Sequence, residues 1–179
     1  GNFAVFLNEN GVYKIIKMDT MGAILSEVNL GTLFSTDGLF FEVAQNGDYF
    51  LGTIFATSLD VRSSLMRVDD AGNAIWEVTL LNKRIRDIAP TRDDGVVITG
   101  NTSGTGWADA FLVRLDAVGL EIWDRRYGED LYEATYAVTQ ADDGGYFLGG
   151  IDFSQSTQDN LPGDQGIYIL KTGRDGLLE

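Results

Sequence analysis

RLDAVG at residues 114–119 has three counterparts along the chain: KMDTMG at 17–22, RVDDAG at 67–72 and KTGRDG at 171–176. Each runs as a basic residue, one spacer, a turn residue, two spacers and a glycine. Gly22, Gly72, Gly119 and Gly176 fall 50, 47 and 57 residues apart, so the extra length of the last interval sits in one loop. Self-similarity on this scale is the signature of an array of small structural units. An Asp at the head of such a turn can accept bonds from the backbone just ahead of it, and a glycine supplies the positive φ that closes a bulged hairpin. The fourth copy has Gly173 in the Asp place and predicts a different turn.

Two further registers share this period. A large apolar residue follows each turn, as Leu25 in GAIL, Trp76 in GNAIW and Trp123 in GLEIW. On a strand that spacing returns it to one face, where it can dock on a neighbouring sheet. A polar turn also leads into an apolar strand that ends in small residues: QNGDYFLGT at 45–53, RDDGVVITG at 92–100 and DDGGYFLGG at 142–150. Gly52, Gly149, Gly100 and Gly150 are expected to mark close approaches of backbone.

One period therefore holds four short strands, the content of one β-propeller blade. The strands are placed at 38–44, 48–55, 62–68 and 73–80, and again at 85–90, 95–101, 110–115 and 120–127. Three precede them at 3–7, 12–18 and 23–30, and three follow at 135–140, 145–151 and 166–171. The expected fold is all-β, about 3.5 blades of four antiparallel strands, forming an incomplete ring or a segment of a larger propeller. The expected boundaries are a partial blade at 1–30, blades at 31–80 and 81–127, and a partial blade at 128–179.

Composition narrows the chemistry. With 27 acidic and 13 basic residues the net charge is −14, which repels nucleic acid and anionic membrane surfaces. There is no cysteine and no histidine. That removes disulfides, thiolate and imidazole ligands, cysteine nucleophiles and a histidine base. No apolar run is long enough for a membrane span. Asp69 with Asp70, Asp93 with Asp94 and Asp142 with Asp143 sit in repeating turns, which explains them without catalysis. Lys17, Arg67, Arg114 and Lys171 recur once per blade and are expected to form solvated ion pairs. The loop at 156–166 offers Asp159, Asn160 and Asp164 as oxygen donors but lacks the ligand spacing of an EF-hand.

RLDAVGLEIW at 114–123, RRYG at 125–128 and ADDGGYFLGG at 141–150 resemble the propeller repeats of secreted and surface proteins of bacteria, especially Bacteroidota. The Asp, Gly and Trp spacing is also similar to the tryptophan-docking repeat of quinoprotein-like propellers. That resemblance spans both cofactor-using dehydrogenases and cofactor-free assembly scaffolds, and the adjacent cysteines of the enzymes are missing here.

In this strand order the short turns share one end of the blades and the variable connections the other. Binding resides in loop variation on a rigid scaffold, so Trp107, Tyr132, Arg84 and Asp164, all on the variable end, are the candidate ligand contacts. No catalytic residue, metal ligand or cofactor is expected. The reading is a non-enzymatic interaction module outside the cell or at its surface, or in the periplasm, that presents loops to a protein or glycan. A fragment of a propeller enzyme and a self-assembling scaffold are the alternatives, with self-association or association with further blades as possible partnerships.

Overall fold

The computed structural model describes residues 3–32, 38–57, 60–103, 108–128, 132–152 and 166–179. It is built of four antiparallel sheets, with no helix among the described residues. The first sheet joins β1 (Phe3–Glu9), β2 (Val12–Met18) and β3 (Ile24–Gly31). The second joins β4 (Leu39–Val43), β5 (Tyr49–Ala56), β6 (Val61–Val68) and β7 (Ala74–Leu81). The third joins β8 (Lys83–Pro90), β9 (Val96–Thr102), β10 (Ala110–Leu115) and β11 (Glu121–Tyr127). The last joins β12 (Glu133–Gln140), β13 (Tyr146–Asp152) and β14 (Gly166–Thr172). Strands pair in sequence order, as in propeller blades, and the sheets form an open arc.

The repeating turn closes through the same bonds each time. Asp19, Asp69 and Asp116 each accept two backbone amides through one Oδ1, from Met21 and Ala23, Ala71 and Asn73, and Val118 and Leu120. Gly22, Gly72 and Gly119 adopt φ of 84 to 87°, the left-handed region a side chain resists. The fourth turn does not differ in its backbone. Gly173 N–H still donates to Leu177 O at 2.8 Å and Gly176 N–H to Gly173 O at 3.1 Å, so the main chain carries this turn without an Asp at its head.

The core is three apolar layers, one between each pair of successive sheets. Ile15 and Val28 meet Tyr49, Leu51 and Val68; Phe50, Leu65 and Leu80 meet Val96, Ile98 and Val113; Val97, Leu112 and Trp123 meet Val138, Tyr146 and Leu148. Alternation along each strand sends successive residues to opposite faces, so one strand feeds two layers. Polar groups inside the layers are bonded across them. Ser63 Oγ donates to Lys83 O at 2.8 Å and accepts Ile85 N–H at 3.1 Å. Thr99 and Thr135 hydroxyls meet at 2.5 Å.

Three of the four turn glycines also receive the preceding blade. A Cβ on Gly119 would overlap the Trp76 ring, one on Gly176 would overlap Trp123, and one on Gly72 would overlap Val28. Trp76 Nε1 additionally donates to Ala117 O at 3.0 Å. In the first sheet the docking residue is Val28, with Leu30 beside it, and Leu25 stands exposed. Leu25 lies three residues past its glycine rather than four, which on a strand is the opposite face.

Arg67 and Arg114 correct the expectation of solvated ion pairs. Both pair with an Asp, Asp48 and Asp93, but both are buried. Arg67 reaches across the layer as well, donating from Nη1 to Asp94 O and Ala117 O, each at 2.9 Å. A guanidinium can hold a carboxylate and carbonyls of the next blade at once because its donors fan out in a plane.

Candidate functional site

β4, β8 and β12 form the inner edge of the arc, with β8 packed against both of the others. β8 slips register between Ile85 and Asp87 against β9, and β12 slips between Thr135 and Ala137 against β13. The extra residues are Arg86 and Tyr136. A bulge re-aims the side chain that it carries, and here two bulges turn these side chains onto each other. The Arg86 guanidinium lies over the Tyr136 ring at 5.1 Å from its centroid, and Arg86 Nε donates to Asn101 Oδ1 at 3.2 Å. Tyr132, immediately before β12, sits against both. Burial raises the pKa of its hydroxyl, as does Tyr136, while Arg86 opposes them.

The glycines mark these bulges. A Cβ on Gly100 would overlap the Arg84 carbonyl, and one on Gly150 would overlap the Ala134 carbonyl, so the bulged strand presses its backbone onto the next. Gly52 meets only the Phe40 side chain, and Gly149 has nothing within 4 Å, so neither is a close approach of backbone. Thr53 holds the place of Gly100 and Gly150 in the second sheet, where β4 and β5 pair without a slip.

Of the residues chosen from sequence, Tyr132 belongs to this cluster, and Arg84 supplies the carbonyl over Gly100 from β8. Trp107 and Asp164 lie outside the described residues, as do Asp159 and Asn160. Arg86, Tyr136 and Asn101 were not foreseen. Their signal was available in Gly100 and Gly150, the last residue of two of the three small strand ends, where the backbone has to come close.

Two carboxylates lie near the same edge. Asp87 Oδ2 accepts Val138 N–H at 2.8 Å across to β12. Burial raises its pKa despite the bonds from Val138 and Ile88 amides. Burial also raises Glu42, on β4, and the Asp87 charge adds to that. A raised folded-state pKa favours the protonated acid, so this contribution to stability is present at low pH and is lost as pH rises from the ordinary aspartate value through the raised one. Asp87→Asn is expected to flatten that part of the stability profile, measured by urea denaturation at a series of pH values.

At the turn end, between the third and fourth sheets, lies a cleft of about 370 Å³ lined by Arg92, Asp93, Arg114, Trp123, Tyr146 and Arg174 among others. It opens where Arg114 turns back on its own blade. Its guanidinium bonds Asp93 and the carbonyls of Val96 and Leu115 in its own blade and meets the Tyr146 side chain across the cleft, whereas Arg67 holds two carbonyls of the next blade. Burial alone would raise Asp93, but the Thr91 hydroxyl and Arg114 outweigh it and hold this acid below its usual range. The three arginines are engaged within the chain: Arg92 with Asp142 and Ala141 O, and Arg174 with Asp143 O at 2.8 Å.

No family model and no curated protein matches the chain. Among solved structures it is similar to Synechocystis apocarotenoid oxygenase. For one point mutant of that oxygenase the identity is 13%, the TM-score 0.47, and the match covers 95% of this chain and 44% of that one. A second point mutant gives 15%, 0.46, 94% and 44%, and the cobalt-substituted protein 15%, 0.47, 94% and 44%. The chain thus spans less than half the length of the chains it matches. The expectation that the chain is not an enzyme is corrected by these matches, which are to enzymes. At this distance no activity, substrate or residue role carries over to it.

Proposed function

We propose that the chain is a propeller-type binding module that takes a protein or glycan partner at the end bearing the long connections, outside the cell or at its surface. The observation that carries it is the pair of matched bulges that sets Arg86 on Tyr136 beside Asn101 and Tyr132. Tyr136 remains 44% exposed. An aromatic face next to guanidinium, amide and hydroxyl groups suits a sugar ring or a peptide, because the ring buries apolar C–H surface while its neighbours bond hydroxyls or carbonyls. The connections at this end differ in length and sequence from blade to blade, as a surface selected for one partner would.

Screening the chain against a glycan array and a panel of cell-surface proteins should return binders of one class. Tyr136→Ala and Arg86→Ala are each expected to weaken that binding at least about tenfold, as loss of an aromatic or arginine anchor does. Silence on both panels would overturn the proposal, and so would a binder indifferent to both substitutions.

A further inference from the structure

The cleft at the turn end, between the third and fourth sheets, gathers Arg92, Arg114 and Arg174, three of the chain's nine arginines. Against them stands one acid, Asp93, among the described residues that line it. In a chain of net charge −14 that is a local reversal of sign, and a cleft walled by one sign of charge concentrates ions of the other. Arg114 is paired with Asp93 and Arg92 with Asp142. Arg174 forms no ion pair within 4 Å among the described residues. Its Nε donates to the Asp143 carbonyl at 2.8 Å, while the Asp143 carboxylate is held by Lys171, also at 2.8 Å, and feels Arg174 only at a distance. Neither Nη of Arg174 donates a hydrogen bond among the described residues.

The second donor is an indole. In the preceding layer Trp76 Nε1 donates to Ala117 O at 3.0 Å, and Cγ, Cδ2 and Cε3 of its ring lie over Gly119. Arg174 stands at the place of Ala117 in the repeat, and Gly176 at that of Gly119. Only the far edge of Trp123, Cζ3 and Cη2, reaches Gly176, so its ring is shifted relative to Trp76 and Nε1 meets no acceptor among the described residues. Trp123 is 9% exposed, and an indole N–H that deep usually finds a partner.

We propose that this cleft is a second binding site, separate from the one at Arg86 and Tyr136, and that it takes a small organic carboxylate. The carboxylate accepts from the Nη groups of Arg174 and from Trp123 Nε1, and the apolar body lies against Trp123, Tyr146 and Ile122. A guanidinium presents paired donors that match both oxygens of a carboxylate, and such charge-assisted bonds are the strong ones. The Trp123 and Tyr146 rings meet edge to face with centroids 5.7 Å apart and make an apolar corner. Arg114 and Gln140 both bond the Tyr146 hydroxyl, which fixes that wall. The volume of about 370 Å³ lies at the small end of the about 300–1,000 Å³ of small-molecule sites, which favours a compact acid over a chain of sugars. Neither donor is required by the repeat, since the preceding layer makes the same turn with Ala117 and satisfies its indole within the chain.

Proton–nitrogen correlation NMR of the 179-residue chain tests this, read at the assigned indole N–H signals. Sodium benzoate, titrated through the millimolar range at constant ionic strength, is expected to move the Trp123 signal saturably and to leave that of Trp76 in place. Benzamide, of the same shape without the charge, should bind at least about tenfold more weakly, as the loss of a charge-assisted hydrogen bond does. Arg174→Gln should weaken benzoate binding by about the same factor. That variant should keep the thermal midpoint of the parent, because Arg174 is exposed and holds a single carbonyl. A Trp123 signal that benzoate does not move overturns the proposal. So does benzamide binding as tight as that of benzoate, or an Arg174→Gln chain that binds benzoate undiminished. Inorganic phosphate bound as tightly as benzoate would overturn the role given to the apolar wall.

Discussion

Arg67→Met is expected to destabilise the fold by about 3 kcal/mol, the lower end of the cost of breaking a buried ion pair from one side. The Arg67 side chain is only 5% exposed and its partner Asp48 only 15%, so water replaces little of what is lost. Methionine fills much of the volume over Phe50, where the guanidinium lies 5.5 Å from the ring centroid. What remains is an Asp48 carboxylate without its cation and the carbonyls of Asp94 and Ala117 without a donor. Arg114→Met gives the comparison. Its carboxylate partner Asp93 is 69% exposed and can be hydrated, and the carbonyls it holds, those of Val96 and Leu115, belong to its own blade, with Tyr146 its contact across the layer. That variant is expected to lose about 1 kcal/mol or so. Urea denaturation of both reads the difference, and equal losses would show that the buried Asp48 and the two carbonyls Arg67 holds in the next blade contribute nothing special.

The second large effect belongs to Gly100→Ala, expected to cost about 1–3 kcal/mol as overpacking does. The added methyl would meet backbone, the Arg84 carbonyl with the Arg86 amide close behind, and backbone in a paired strand cannot swing aside as a side chain can. Relief requires β8 to lift from β9, which removes the bulge that aims Arg86 at Tyr136. Gly100→Ala is therefore expected to weaken ligand binding together with stability. Gly149→Ala is the control, with open space at its Cβ and an expected change near zero or slightly stabilising. Thermal unfolding of the two variants separates them, and a Gly100→Ala chain as stable as Gly149→Ala would contradict the close approach.

Much of the fold was legible because its determinants are local and repeated. Strand limits expected at 12–18 and 110–115 coincide with those of β2 and β10, and the other strands fall within a few residues. The Asp and Gly of each turn announce themselves because their bonds run to backbone two and four residues away. The docking of Trp76 and Trp123 was equally readable, since a glycine at a fixed distance leaves room for an indole. Leu25 was misread because one residue of displacement reverses the face of a strand.

The candidate site was less legible for a physical reason. Arg86 and Tyr136 lie 50 positions apart and come together only through two bulges, which break the alternation from which facing is inferred. Of the chosen contacts, Tyr132 was placed with them, since loop position alone brings it near.

The sequence by itself determined the repeat, the strands, the turns and the two tryptophans that dock on the next blade, because each depends on backbone conformation and spacing within one unit. Only the tertiary structure decided that Arg67 holds two carbonyls of the next blade while Arg114 holds carbonyls of its own, that a cleft opens beside Trp123, and that Arg86 meets Tyr136. Those outcomes depend on how successive sheets stack, and stacking sums weak contacts between residues that no local pattern relates.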